Sequence, residues 1–291
     1  MCLPACLADM TRRSILRILV LLLGLAALRP GWAADVSPLV FGVFPNLTAK
    51  QTVEIYRPLA NALEKHLHRP VAIYSARDFK TFVARTRQGE YDILLTAPHL
   101  AWLARQDAGY QPLLKYTEPV RGLLVVKSAS SLDDVEALRG RTIATADPIA
   151  LVVLALQAEL AARGLRHNID YRTTESGTHT NTVLQVINDR ADAAMLGLHP
   201  YKLMPADWRQ QLRVLAETPP LSSLMYLTHP RLRDAEVQAI RRALLDFAAS
   251  PEGKVFMQNG GYGGFSQVDG SELRAFRPYA LQAQKMLLEA Q

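Results

Sequence analysis

From Pro38 onward the chain alternates short, continuous apolar runs with longer stretches whose apolar residues recur every three or four positions. A run with no polar face, such as Ile93-Leu94-Leu95, must be covered on both sides, and a sheet flanked by helices on both faces does this. The chain is therefore expected to be an α/β protein built from mostly parallel sheets. Strands are predicted at 39–44, 71–75, 91–95, 122–126, 142–145, 170–174, 191–196 and 212–216. Helices are predicted between them: one capped by Thr48 with Val53, Tyr56, Leu59, Leu63 and Leu67 on one stripe, then 78–88, one from Pro98, 149–163 and 180–189. Helices at 234–249 and 253–258, a glycine-rich turn at 260–264 and a terminal helix from 271 complete the pattern.

The 291 residues exceed one ordinary core and suit two. A second βαβ series begins near Thr142, and the two apparent crossings, near 121–128 and 216–226, read as strands rather than Ser/Gly linkers. The expected architecture has an interrupted first lobe, 34–124 and 218–291, a second lobe, 125–217, and two hinge strands joining them. Strand ends and helix N-termini would then face a cleft.

Residues 1–33 read as a secretory signal: Arg12, Arg13 and Arg17 precede the 11-residue apolar run Ile18 to Leu28, and the small residues Gly31, Ala33 and Ala34 follow, with cleavage expected after Ala33. The run is shorter than the ~20 residues that span a bilayer, so the mature form is not expected to cross a membrane. Met10 is an alternative start, and Cys6 precedes the apolar run instead of following it, so lipidation is discounted. Removing the signal takes four arginines and one aspartate, leaving 29 basic against 26 acidic residues with no dense cationic stripe. Nucleic acid is excluded as a partner. Both cysteines, Cys2 and Cys6, go with the signal, which excludes a thiol nucleophile and a thiolate metal site. Export without disulfides places the chain in a bacterial periplasm, held together by hydrophobic burial.

The ordered segments Tyr56-Arg57-Pro58-Leu59, Tyr91-Asp92-Ile93, Thr96-Ala97-Pro98, Leu138-Arg139-Gly140-Arg141-Thr142, Asp147-Pro148, Ser176-Gly177-Thr178-His179 and Ala191-Asp192-Ala193-Ala194 resemble the phosphate/phosphite/phosphonate-binding periplasmic proteins of ABC transporters. The resemblance covers nearly all of the mature chain. It implies the two-lobed type II periplasmic-binding-protein fold and capture of a small solute by hinge closure. Two departures stand out. Where the family carries Ser-Thr-Ser-Gly after the Asp-Pro pair, this chain has Ile149-Ala150-Leu151-Val152, which keeps the helix N–H groups but not the hydroxyls. Where aminophosphonate binders carry a carboxylate, this chain has His199.

Asn46, Thr96 and His99 follow predicted strands at the carboxyl edge of the first sheet and are candidate ligand contacts, although Thr96 is equally explained as a cap and His99 as an exposed first-turn residue. The resemblance adds Phe79 as an aromatic wall, Ile149, Ala150 and Leu151 at the anion-binding helix start, His179 as the leading polar contact, and His199. Tyr201 is a candidate wall that a core position would equally explain. His66 and His68 diverge on a helix, and three separated histidines make no metal motif, so no metal and no cofactor is expected. The expected function is a periplasmic solute-binding protein that captures a small anionic or zwitterionic ligand for an ABC permease. The alternative receiver is a sensor kinase or cyclase ectodomain. An exported hydrolase or transferase is disfavoured, because there is no Gly-x-Ser-x-Gly elbow, phosphate loop or His-Glu-x-x-His helix.

Overall fold

A computed structural model describes residues 37–289. The segment read as a secretory signal, its expected cleavage point and both cysteines lie outside the described residues. The chain begins with β1 (Leu39–Val43), α1 (Ala49–Leu67), β2 (Val71–Tyr74), α2 (Phe79–Arg87), β3 (Ile93–Thr96), α3 (Pro98–Ala108) and β4 (Gln111–Tyr116). It continues through β5 (Gly122–Lys127), β6 (Thr142–Thr145), α4 (Leu151–Ala162), β7 (Arg172–Glu175), α5 (His179–Ile187), β8 (Ala193–Gly197), α6 (Leu198–Lys202), α7 (Ala206–Gln210) and β9 (Leu212–Glu217). The last part holds β10 (Met225–Thr228), α8 (Asp234–Ala249), α9 (Pro251–Gly260), β11 (Phe265–Ser266), α10 (Gly270–Ala275) and α11 (Arg277–Glu289).

Two sheets result, in the orders β11-β4-β10-β3-β1-β2 and β7-β6-β8-β5-β9. Both are mixed. In the first, β1 runs parallel to β2 and β3, while β10 returns antiparallel between β3 and β4. In the second, β6 runs parallel to β7 and β8, while β5 lies antiparallel to β8 and β9. The βαβ halves are parallel because a helix carries the chain back across the sheet. The strands that enter each sheet from the other, β5 and β10, arrive without such a helix and pair antiparallel.

The helix α1 shows how sequence sets packing. Thr48 and Gln51 form a reciprocal cap, with Thr48 Oγ1 accepting from the Gln51 N–H at 3.3 Å and Gln51 Oε1 accepting from the Thr48 N–H at 3.2 Å. The buried stripe then runs Thr52, Tyr56, Leu59, Ala60 and Leu63. Each fully buried Leu on it contributes about 2 kcal/mol, before the entropy of ordering it. Val53, expected on the stripe, is 38% exposed, because Thr52 takes the inward position and returns its hydroxyl to the Thr48 carbonyl at 3.0 Å.

In the second sheet β5 serves both faces: Leu124 and Val126 pack in one core and Leu123 and Val125 in the other. The helix α4 is buried from Leu151 to Gln157, because one side meets the second sheet while Ile149 and Leu154 join the core of the first. The strand β4 and the helices α6 and α7 were not anticipated, and the expected single terminal helix breaks at Phe276. Pro278 supplies no N–H to continue the preceding helix but fits the first turn of α11.

The segments linking the sheets, between β4 and β5 and between β9 and β10, run side by side. Val120 and Leu221 exchange backbone hydrogen bonds at 3.0 and 2.8 Å. The second segment, expected as a strand, forms an isolated bridge instead of a continuous ladder, because Pro219 and Pro220 offer no N–H.

Candidate ligand cleft

A cavity of about 600 Å³ lies between the two sheets. Asn46, in the β1–α1 loop, lines it, and its Oδ1 is enclosed without a hydrogen-bond partner. Ala150 and Leu151 line it from the start of α4. The N–H groups of Leu151 and Val152 there have no acceptor among the described residues, as expected of a helix's first turn. His179 lines it from the first position of α5. Gly177 at φ 78° turns the chain into that helix, and Thr178 caps it by accepting from the Asn181 N–H at 3.1 Å. His179 Nδ1 is enclosed and unpartnered, and burial lowers the imidazole's pKa from 6.5 to about 4, so the ring is neutral. His199 lines the cavity beyond β8. Burial, and then the Lys202 ammonium, lower its pKa.

The other five residues singled out from sequence are not among those lining the cavity. Phe79 is buried against Phe44, with ring centroids 6.1 Å apart. Tyr201 packs against the core of the second sheet. Thr96 is fully buried opposite Met225 of β10 and is not the cap of α3; Ala97 occupies that position. His99 is fully buried rather than exposed, and its Nε2 lies 2.9 Å from the carbonyl oxygen of Ile149. Burial lowers the His99 pKa from 6.5 to about 4, with the bond to Ile149 opposing, so the neutral ring donates Nε2–H to that carbonyl. Ile149 itself enters the first sheet's core. A chain of hydrogen bonds thus ties the two sides together: Asp147 Oδ1 accepts from the Ile149 N–H at 2.9 Å, and the Ile149 carbonyl accepts from His99. Burial raises the Asp147 pKa to about 6; the Ile149 N–H opposes this, and the Glu175 and Asp78 carboxylates add to it.

Sequence reading passed over part of the wall. Lys202 approaches from α6, and Lys254 and Met257 from α9. The glycine-rich turn, noted only as a turn, carries Tyr262. Its ring stacks on Tyr116 at 4.0 Å and 8°, and its hydroxyl lies 3.1 Å from that of Tyr56. The turn is fastened to the sheet-linking segment: the Glu118 N–H donates to the Tyr262 carbonyl at 3.1 Å, and the Thr117 N–H to that of Gly264 at 3.0 Å. Four glycines within five residues signalled a close backbone approach. At Gly261 an added Cβ would stand 2.7 Å from His199 Nδ1, so the turn and the second sheet's side touch here. Among the described residues no cluster of three or more His, Cys, Asp or Glu side chains could hold a metal, and no helix is long and apolar enough to cross a membrane.

Solved structures share this arrangement. The binding protein component of an ABC phosphonate transporter (PA3383) from Pseudomonas aeruginosa superposes with a TM-score of 0.76 at 19% identity, over 85% of this chain and 87% of that one. PhnD1 from Prochlorococcus marinus, in complex with methylphosphonate, gives 0.75 at 13% identity over 85% and 98%. XAC2383 from Xanthomonas citri, bound to ATP, gives 0.71 at 20% identity over 86% and 98%. At these identities the likeness establishes the fold, which is the two-lobed type II periplasmic-binding-protein fold. The sequence itself matches, over residues 41–273, the family described as "ABC transporter, phosphonate, periplasmic substrate-binding protein". The chain belongs to that family and is a solute-binding protein of the phosphonate ABC-transporter type.

Proposed function

We propose that the cleft captures a small anionic or zwitterionic solute by closure of two lobes and presents it to an ABC permease without altering it chemically. One lobe holds the first sheet and the other the second. We take the crossings at 118–121 and 218–224, a reading supported by β5, which pairs only within the second sheet and would carry residues 122–124 with it. The observation that carries the reading is the cavity itself, walled from both sheets and bearing Lys202 from one side and Lys254 from the other. Neither ammonium has a carboxylate within ion-pair distance among the described residues. The first-turn N–H groups of α4 add the positive end of a helix dipole.

Asn46, Ala150, Leu151, His179 and His199 are the contacts we assign to the solute. Phe79, Thr96, His99, Ile149 and Tyr201 support the wall from behind. Titration calorimetry of the purified, ligand-stripped protein with phosphate, phosphite, methylphosphonate, methanesulfonate and acetate tests the reading. Saturable binding of at least one is expected, and silence from all five and from longer-chain sulfonates while the protein remains folded would sink it. Periplasmic location through cleavage after Ala33 belongs to the same proposal and is checked by sequencing the N-terminus of the mature protein. A sensor ectodomain is the alternative receiver, favoured only by the loss of the family's hydroxyl-bearing segment at α4. Ligand-dependent capture of a permease or of an ectodomain separates the two.

A further inference from the structure

The cleft holds far more space than a phosphonate-sized ion fills, and its wall is nearly without hydroxyl donors. A five-heavy-atom anion displaces roughly the volume of five waters, about 150 Å³, whereas the cavity is about 600 Å³. Ser223 is the only Ser or Thr among the described residues that line it, and the Tyr262 hydroxyl is already engaged with Tyr56. The charged groups at the wall are Glu118, Arg121, Lys202 and Lys254, and Arg121 is paired with Glu217 at 2.7 Å. The unpaired groups are then two ammoniums against one carboxylate, a net charge of one positive unit, and both histidines are neutral. Opposite a dianion these groups leave one negative charge unmatched. Much of the remaining wall is apolar, including Leu151 and Val152 on one side and Met257 and Tyr262 on the other.

Resting on the solute-binding reading above, we propose that this cleft selects a singly charged organic anion whose remainder is an apolar body of several carbons. The charged head lies between Lys202, Lys254 and the first turn of α4, and the body fills the space toward the glycine-rich turn. The homologous series methane-, butane-, hexane- and octanesulfonate, with methylphosphonate as reference, tests this by calorimetry on the ligand-stripped protein. Affinity is expected to rise about fourfold for each methylene buried until the cavity is filled. Hexanesulfonate should bind at least tenfold more tightly than methylphosphonate, with one site per chain. Lys202→Met and Lys254→Met, both at exposed positions, should each weaken hexanesulfonate several-fold. Val152→Thr, which puts a hydroxyl on the apolar wall, should shrink the gain per methylene. If methylphosphonate binds as tightly as the longest sulfonate, or the series is flat, or both lysine variants bind hexanesulfonate as the parent does, the amphipathic assignment is overturned and the solute-binding reading survives. If none of the five probes binds but phosphate, phosphite or acetate does, the amphipathic assignment alone falls; if every probe of both sets is silent, both fall.

Discussion

Protonation of His99 should account for much of the acid lability of this protein. The ring is fully buried, its Nε2–H is spent on the Ile149 carbonyl, and its Nδ1 faces no partner. A second proton would place an uncompensated charge there, which is why the folded-state pKa stands at about 4 against 6.5 in the unfolded chain. Between those values the unfolded state binds a proton that the folded state refuses, so stability falls as the pH drops. At 1.36 kcal/mol per pH unit the full loss is about 3 kcal/mol, a large share of an ordinary domain's 5–15 kcal/mol. The neighbouring Asp147 works in the opposite sense. Its folded pKa of about 6 lies above the ordinary 3.8, so the folded state takes up a proton first, and falling pH in that window adds stability, by less than the raw difference because the group is partly exposed.

His99→Gln separates these effects, because the glutamine amide nitrogen can stand where Nε2 stands and donate to the same carbonyl but does not titrate. Urea unfolding followed by circular dichroism from pH 7 to pH 4 is the assay. At pH 7 the variant should lie within about 1 kcal/mol of the parent, and its acid limb should be shallower by about 3 kcal/mol. Asp147→Asn should do the reverse, steepening the acid limb and raising stability above pH 6. If His99→Gln loses stability in parallel with the parent between pH 6.5 and pH 4, the imidazole is not refusing the proton and the reasoning fails.

Gln157 is buried on α4 with both amide atoms unpartnered, so Gln157→Leu should raise stability by about 1–3 kcal/mol, read as an increased urea midpoint at unchanged slope. At Gly263 the backbone has φ 76° and an added Cβ would meet Thr117 Oγ1 at 2.5 Å. Gly263→Ala should therefore cost about 1–3 kcal/mol and weaken solute binding by shifting Glu118, measured by melting and calorimetry on the same sample. Gly42 faces the Tyr91 ring, where a Cβ would lie 2.4 Å from the nearest carbon, so Gly42→Ala should lower the melting temperature by several degrees while leaving the ligand series in the same order.

What could be read from the chain was whatever depends on near neighbours. Ile93-Leu94-Leu95 announced an interior strand because a residue run without a polar face has few places to go, and Thr48 announced a helix because a side-chain oxygen just ahead of an apolar stripe can cap its first turn. What could not be read depends on distant neighbours. β10 enters the first sheet from more than a hundred residues downstream of β3, and nothing in Met225 to Thr228 names its partner. His99 looked like a first-turn residue open to water, because the carbonyl that buries it belongs to Ile149 on the other side of the cleft. The same long-range contact gives the clearest sense to the departure at 149–152. Hydroxyls at this helix start would have to leave water for an anion, whereas the residues present can leave water for protein: Ile149 enters the first sheet's core, and Leu151 meets Ala97 and Phe276. Burying apolar side chains here holds the two sides of the cleft together, by about 25 cal/mol for each Å² removed from water.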